Sequence, residues 1–167
     1  VMLALDAVFR LHGPAGSRRV PARDFYVGLF ETELADDELL VEIEIPASPP
    51  GSRFAIEEVS RRHGDFALAG VAIALTPAGD GSVSDAAIGL FGVGDRPILS
   101  KVGNAVLRGR PLDAAAIAEA AEATAEALDP PGDIHASSAY RRHLVRVLTR
   151  RALERANEAR ETGDRGG

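Results

Sequence analysis

Hydrophobic and polar positions divide the chain into a strand-rich first half and a helical second half. Residues 1–11 carry Val1, Leu3, Leu5 and Val8 in near alternation, with Phe9 and Leu11 following, and predict a strand already under way at the first residue. A chain that opens inside a strand suggests further structure upstream. The turn-forming run HGPAGS at 12–17 and the short return from Arg18 to Val20 predict a hairpin. Residues 24–34 hold Phe25, Tyr26, Val27, Leu29 and Phe30 without a clean period and are interrupted by Gly28, which predicts a packed connector with a helical turn. After the polar break at Asp36, Asp37 and Glu38, alternation is clear: Leu39, Val41, Ile43 and Ile45 on one face, Glu42 and Glu44 on the other. Leu40 is the apolar exception on the acidic face. Pro46 ends that strand, and 47–52 is a loop. Residues 53–60 predict a second strand with Phe54 and Ile56 on one face. Residues 66–76 are apolar almost throughout and fit a buried central strand, with helix as the rival. The turn PAGDG at 77–81 leads into a partner strand at 83–91. The expectation is one antiparallel sheet of four strands over residues 39–91.

The second half has the helical period. Residues 100–107 predict a short helix stopped by Gly109 and Pro111. Asp113 is a good N-cap for 114–128, where Ile117, Ala121, Thr124 and Leu128 form one stripe. Pro130 and Pro131 end it. Ser137 or Ser138 caps a last helix in which Tyr140, Leu144, Leu148 and Ala152 recur every fourth residue. The fold class is therefore α+β: a small antiparallel sheet of about four strands backed by three C-terminal helices.

Composition narrows the chemistry. The chain has 167 residues, a formal net charge of −6 and no cysteine. It cannot form disulfides, a thiolate zinc site or a cysteine-ligated iron–sulfur cluster. The acidic balance argues against nucleic acid as a partner. The longest uncharged stretch, residues 66–79, has 14 residues and is too short to span a bilayer. No secretory signal opens the chain, and a cytoplasmic location is expected. The four histidines, at 12, 63, 135 and 143, show no metal-ligand spacing. The run GLFGVG at 89–94 reads as a strand ending in a tight turn rather than a dinucleotide fingerprint, since the third glycine of that pattern is missing. Six arginines and one glutamate lie between Arg141 and Arg155.

The most unusual segment joins the two strands at 53–60 and 66–76. Ser60, Arg61, Arg62, His63, Gly64, Asp65 and Phe66 form a longer and more polar connection than a reversal needs. Gly64 permits positive φ or close approach of another group. As a plain connection it is a solvated loop with Phe66 as its hydrophobic anchor.

The segment RRHGDFALAG at 61–70 resembles the R-R-x-G-D-[F/Y/W]-A signature of the flavin-carrying medium subunit of molybdenum hydroxylases, the family of aerobic carbon monoxide dehydrogenase and xanthine dehydrogenase. Four further segments resemble that subunit in the same order: VPARDFYVGLFET at 20–32, ELLVEIEIP at 38–46, IGLFGVGDRP at 88–97 and DIHASSAYRRH at 133–143. The resemblance covers the C-terminal part of the subunit. The A-G-G-x-S and T-I-G-G loops that hold the FAD pyrophosphate in the family do not occur in these 167 residues. It implies three units: residues 1–35 as the remnant of an upstream FAD-binding subdomain with a connector, 36–160 as a C-terminal α+β domain, and 161–167 as a disordered tail.

The resemblance implies a function and a site. The function is FAD-dependent electron transfer in a multisubunit enzyme, with molybdopterin on a large partner subunit, 2Fe-2S clusters on a small one, and an external electron acceptor. The implied flavin-contacting residues are Leu40, Glu58, Ser60, Arg61, Asp65 and Phe66, with Phe66 covering one face of the isoalloxazine ring. Related enzymes often carry a lysine where this sequence has Glu57 and Glu58, a departure that removes a cation from the ring's surroundings. The alternative is a flavin-free module that docks onto partner subunits through the arginine-rich last helix.

Overall fold

The structure, a computed structural model, describes residues 1–62 and 64–163, with side chains through Glu158. His63 and residues 164–167 lie outside the described residues. Two antiparallel sheets and a two-stranded hairpin precede the helices. The chain begins with β1 (Val8–Gly13) and β2 (Gly16–Pro21), a hairpin in the expected place. A single turn, α1 (Ala22–Phe25), leads to the small hairpin β3 (Tyr26–Gly28) and β4 (Glu31–Thr32). Strand β5 (Leu39–Glu44) then returns to pair with β1, closing a sheet of order β2-β1-β5. The second sheet has the order β6 (Arg53–Val59), β7 (Ala69–Pro77), β8 (Val83–Phe91) and β9 (Ile98–Leu99). Helices α2 (Lys101–Leu107), α3 (Ala114–Glu126) and α4 (Ser138–Gly163) complete the chain.

The helix-backed sheet has four strands, as expected, but its fourth member is β9 and not β5. Strand β5 pairs instead with β1, which sets Ile43 opposite Phe9 and Leu40 opposite Leu11, although Ile43 and Leu40 stay 46% and 40% exposed. The N-terminal residues also differ from the expected strand. Residues 1–7 form a compact turn in which the Leu5 amide donates to the Val1 carbonyl (3.1 Å) and the Ala7 amide to that of Met2 (3.0 Å). Asp6 sits at φ 47, which breaks extended backbone before β1. Leu3, Ala4 and Ala7 are buried by this turn, so tertiary contacts overrode the local alternation.

The Leu40 exception has a backbone explanation. Arg10 pairs with Glu42, but the next residue, Leu11, pairs with Leu40. Val41 is therefore the extra residue of a β-bulge, and the side-chain parity flips across it. Leu40 thus joins the face of Leu11 and Ile43, while Glu42 and Glu44 share the face of Arg10 and Val8. The connector at 24–34 is packed only in part: Phe25 is buried against Phe9 and Tyr26, but Leu29 and Phe30 are exposed.

The main core lies between the second sheet and the helices. Ala69, Val71, Ile73 and Leu75 of β7 face it, together with Ile88 and Leu90 of β8 and Ile117, Leu144, Val145, Leu148 and Leu153 of the helices. Phe54 and Ile56 share a face as read, but it is the open one, away from the helices. Asp113 caps α3 by accepting from the Ala116 amide (2.8 Å), and Ser100 caps α2 through the Gly103 amide (3.1 Å). On α4 the buried stripe runs through Arg141, Leu144, Val145, Leu148, Ala152 and Ala156, and Tyr140 lies half outside it.

Five of the six arginines between Arg141 and Arg155 pair with carboxylates of this same chain: Asp133, Asp129, Glu122, Glu154 and Glu57. Four of these pairs brace α4 against the preceding turn, α3 and β6, and the Arg150–Glu154 pair lies within α4 itself. The helix therefore presents far less free positive charge than its sequence suggests, which weighs against the docking alternative.

Arg18 grips Glu38 with two bonds, Nε to Oε1 (2.7 Å) and Nη2 to Oε2 (2.8 Å), and the Ala35 amide donates to the same carboxylate (3.0 Å). These donors, Arg18 first, lower the Glu38 carboxyl from its ordinary 4.5 to about 2. A depressed folded-state value contributes stability above about 4.5 that disappears as pH falls toward 2. Glu38→Gln is expected to flatten the acid-unfolding curve in that window. Curves for variant and parent that overlay there would contradict the assignment.

Candidate functional site

The connection between β6 and β7, residues 60–67, projects from one end of the second sheet. Its neck is a hydrogen bond from the Leu68 amide to the Val59 carbonyl (2.8 Å). Inside the loop the Arg62 carbonyl is the hub: it accepts from Ser60 Oγ (2.8 Å) and from the Asp65 amide (3.1 Å). Arg61 Nη2 and Asp65 Oδ2 lie 3.7 Å apart and are both solvated, so that pair contributes little stability. Gly64 adopts φ +88 with nothing within 4 Å of where a Cβ would stand.

Phe66 is 95% exposed, so it is not the hydrophobic anchor of its loop; Leu68 and Ala69 begin the buried run instead. A bare phenyl ring in water forgoes the burial that drives aromatic packing, on the order of 2 kcal/mol for such a side chain. An exposed aromatic next to open space is a surface that a flat partner can cover.

Four of the six implied site residues, Ser60, Arg61, Asp65 and Phe66, belong to this loop. Glu58 stands just before it on the open face of β6, in register with Gly70 of β7. Phe91 of β8 fills the space where a side chain at Gly70 would be, with ring atoms as near as 2.1 Å to a Cβ built there. Leu40 lies in the other sheet, paired with Leu11, and no hydrogen bond among the described residues ties it to the loop. The bulge at Val41 places it on the face of Leu11 and Ile43.

Two supports at this end of the sheet were not linked to the loop from sequence. The turn after β8 backs the loop: Gly92 has φ +75, and a Cβ there would stand 2.7 Å from the Ala67 carbonyl oxygen. Arg141 of α4 is buried and donates through Nη1 to the carbonyls of Leu68 (2.5 Å) and Gly92 (2.8 Å). Its position on the apolar stripe of α4 was the available signal, hidden among neighbouring arginines that are solvated.

Comparison with known proteins identifies the class. The family described as "CO dehydrogenase flavoprotein C-terminal domain" matches residues 54–156, and "FAD binding domain in molybdopterin dehydrogenase" matches residues 1–48. The carbon monoxide dehydrogenase medium chain of Afipia carboxidovorans is 40% identical over 157 residues, covering 93% of this chain and 54% of that protein. The alpha subunit of the 6-hydroxypseudooxynicotine dehydrogenase complex of Paenarthrobacter nicotinovorans is 36% identical over 98% of this chain and 57% of its own length. Among solved structures, carbon monoxide dehydrogenase from Hydrogenophaga pseudoflava superposes with a TM-score of 0.88 at 34% identity, covering 93% of this chain and 54% of that one. Quinoline 2-oxidoreductase from Pseudomonas putida 86 superposes at 0.86 and 35% identity, over 95% of this chain and 54% of that one.

This chain belongs to the CO dehydrogenase flavoprotein C-terminal domain family. It spans about half the length of the curated relatives it matches. The expected family and α+β fold are borne out. Among the described residues there is no cluster of three or more His, Asp or Glu placed to hold a metal, and no helix long and apolar enough to cross a membrane.

The residues present fit the ring end of FAD. Loop 60–67 offers an uncovered aromatic face, room beside Gly64 and a charged pair at the rim. They do not supply the glycine-rich backbone cradle that a pyrophosphate requires.

Proposed function

We propose that this chain is the ring-covering part of an FAD-dependent medium subunit in a molybdenum hydroxylase-type complex. Its partners are a large molybdopterin subunit and a small iron–sulfur subunit. Bound FAD supplies the two-electron carrier that a cysteine-free chain cannot build, taking electrons that originate at the partners' centres and giving them to an external acceptor. The observation that carries this reading is Phe66, almost wholly exposed on a loop inside the region that the CO dehydrogenase flavoprotein family matches.

We assign a role to five residues of the loop and to two outside it. Phe66 shields one ring face from water. Asp65 disfavours added negative charge beside the ring, and Arg61, 3.7 Å from it, offsets part of that field. Gly64 leaves room for the ring edge. Glu58 adds a second carboxylate at the loop's entrance, and Ser60 holds the loop's own turn. Leu40 is assigned an apolar contact from the neighbouring sheet. We place the division between the two units in the loop between β5 and β6 rather than at residue 35, because β5 pairs with β1.

The isolated chain is expected to bind FAD weakly, because much of the dinucleotide's affinity comes from backbone amides around the pyrophosphate. Calorimetric titration of FAD into the 167-residue chain tests this. A submicromolar isotherm would show that residues of this chain hold the pyrophosphate, and the ring-only reading would be discarded.

A further inference from the structure

We infer that Arg141 is the positioning residue of the flavin-facing loop, acting as a buried clamp that fixes the direction in which Phe66 points. The inference rests on the reading that loop 60–67 covers the ring.

The Arg141 side chain is 8% exposed. Nη1 donates to two carbonyls that belong to different turns: Leu68, which closes the neck of loop 60–67, and Gly92, whose backbone backs Ala67. Nη2 donates to Asp133 Oδ2 (2.6 Å). Asp133 is itself oriented, since its Oδ1 accepts from the amides of His135 (2.8 Å) and Ala136 (2.9 Å). Those amides, with Arg141 adding to them, hold the Asp133 carboxyl below its ordinary value of 3.8, so the pair stays ionised through neutral pH.

One guanidinium thus ties the loop's neck, its backing turn and the start of α4 into a single unit. Among the described residues, the rest of the loop has its internal bonds and the exposed Arg61–Asp65 pair. Without the clamp, the Leu68 carbonyl becomes a buried acceptor with no partner. The chemistry demands arginine: two nitrogens in a rigid fork reach carbonyls and a carboxylate in different directions, whereas a lysine offers one nitrogen.

The test has two arms. In the 167-residue chain, amide exchange at Leu68 is expected to be about tenfold faster in Arg141→Lys than in the parent. Amides in the middle of β7 and β8 should keep the parent's protection, which shows that the variant is folded. Unchanged exchange at Leu68 in a folded variant overturns the inference. If Arg141→Lys does not fold, Asp133→Asn, which leaves the guanidinium but removes its anionic partner, is read by the same criterion. In the subunit reconstituted with an upstream FAD-binding region, Arg141→Lys is expected to shift the flavin's visible band in the same direction as Phe66→Ala. If Phe66→Ala shifts the band and Arg141→Lys does not, the clamp is rejected and the ring-covering loop stands. If the neck loosens and neither variant affects the flavin, the ring-covering reading has failed, and the positioning role falls with it.

Discussion

Val71→Asp and Ile73→Asp are each expected to destabilise the chain by about 3 kcal/mol or more, enough to remove much of a small domain's stability. Both side chains are buried on the helix-facing side of β7, Val71 at 0% and Ile73 at 2% exposure. Strand β7 has a partner on each side, Glu57 and Leu90 flanking Val71, Ala55 and Ile88 flanking Ile73. A carboxylate placed there would enter a core of aliphatic residues. Ile56→Asp is the control: Ile56 is 49% exposed on the opposite face of the same sheet, and its substitution should cost much less. Thermal melts of the two buried variants that match the parent would show that β7 is not the central strand.

Phe66→Ala and Asp65→Asn are expected to change the flavin, in different ways, once the subunit carries FAD. Loss of the phenyl ring uncovers one face of the isoalloxazine, so reoxidation of the reduced subunit by oxygen should speed up. Asp65→Asn removes a negative charge and leaves Arg61 unopposed, so the reduced, more negative flavin is favoured and the midpoint potential rises. A fixed charge near the ring at an effective dielectric of about 20 would move a two-electron couple by some tens of millivolts. Arg61 screens part of that, and a shift of about 10–30 mV is the expected size. Stopped-flow reoxidation and spectroelectrochemistry read the two effects separately.

Much of the fold was legible because period and punctuation agreed. The run of apolar residues before Pro77, the Asp113 cap and the Gly109 and Pro111 stops each fixed an element close to its observed bounds. Pairing was not legible. The pattern of Leu39 to Ile45 shows that the segment is a strand, but β1 or β6 could equally have received it, and its place beside Phe9 and Leu11 is seen only in the fold. The bulge at Val41 was legible only as an anomaly at Leu40, since a parity change requires a partner strand to be seen. Strand β9 has two residues and carries no period at all. Residues 1–7 alternated like a strand but turned, because Leu3, Ala4 and Ala7 gained burial that an extended chain would not have given them.

The site divided along the same line. Loop 60–67 stood out by chemistry, since a plain reversal has no use for Arg61, Asp65 and Phe66. Its supports did not. Gly92 and Arg141 are 49 residues apart in sequence and meet only through the fold. Arg141 and Arg142 look alike in sequence, but Arg141 is 7% exposed and holds the Leu68 and Gly92 carbonyls, whereas Arg142 reaches out to Asp129.

The claim that loop 60–67 covers the flavin ring is tested most directly by the visible absorption band of FAD in the reconstituted subunit, compared between parent and Phe66→Ala at equal flavin occupancy. The account predicts a displaced band and altered fine structure in the variant, because one face of the ring passes from an aromatic contact to water. Superimposable spectra would contradict it and reduce the loop to a connection between β6 and β7.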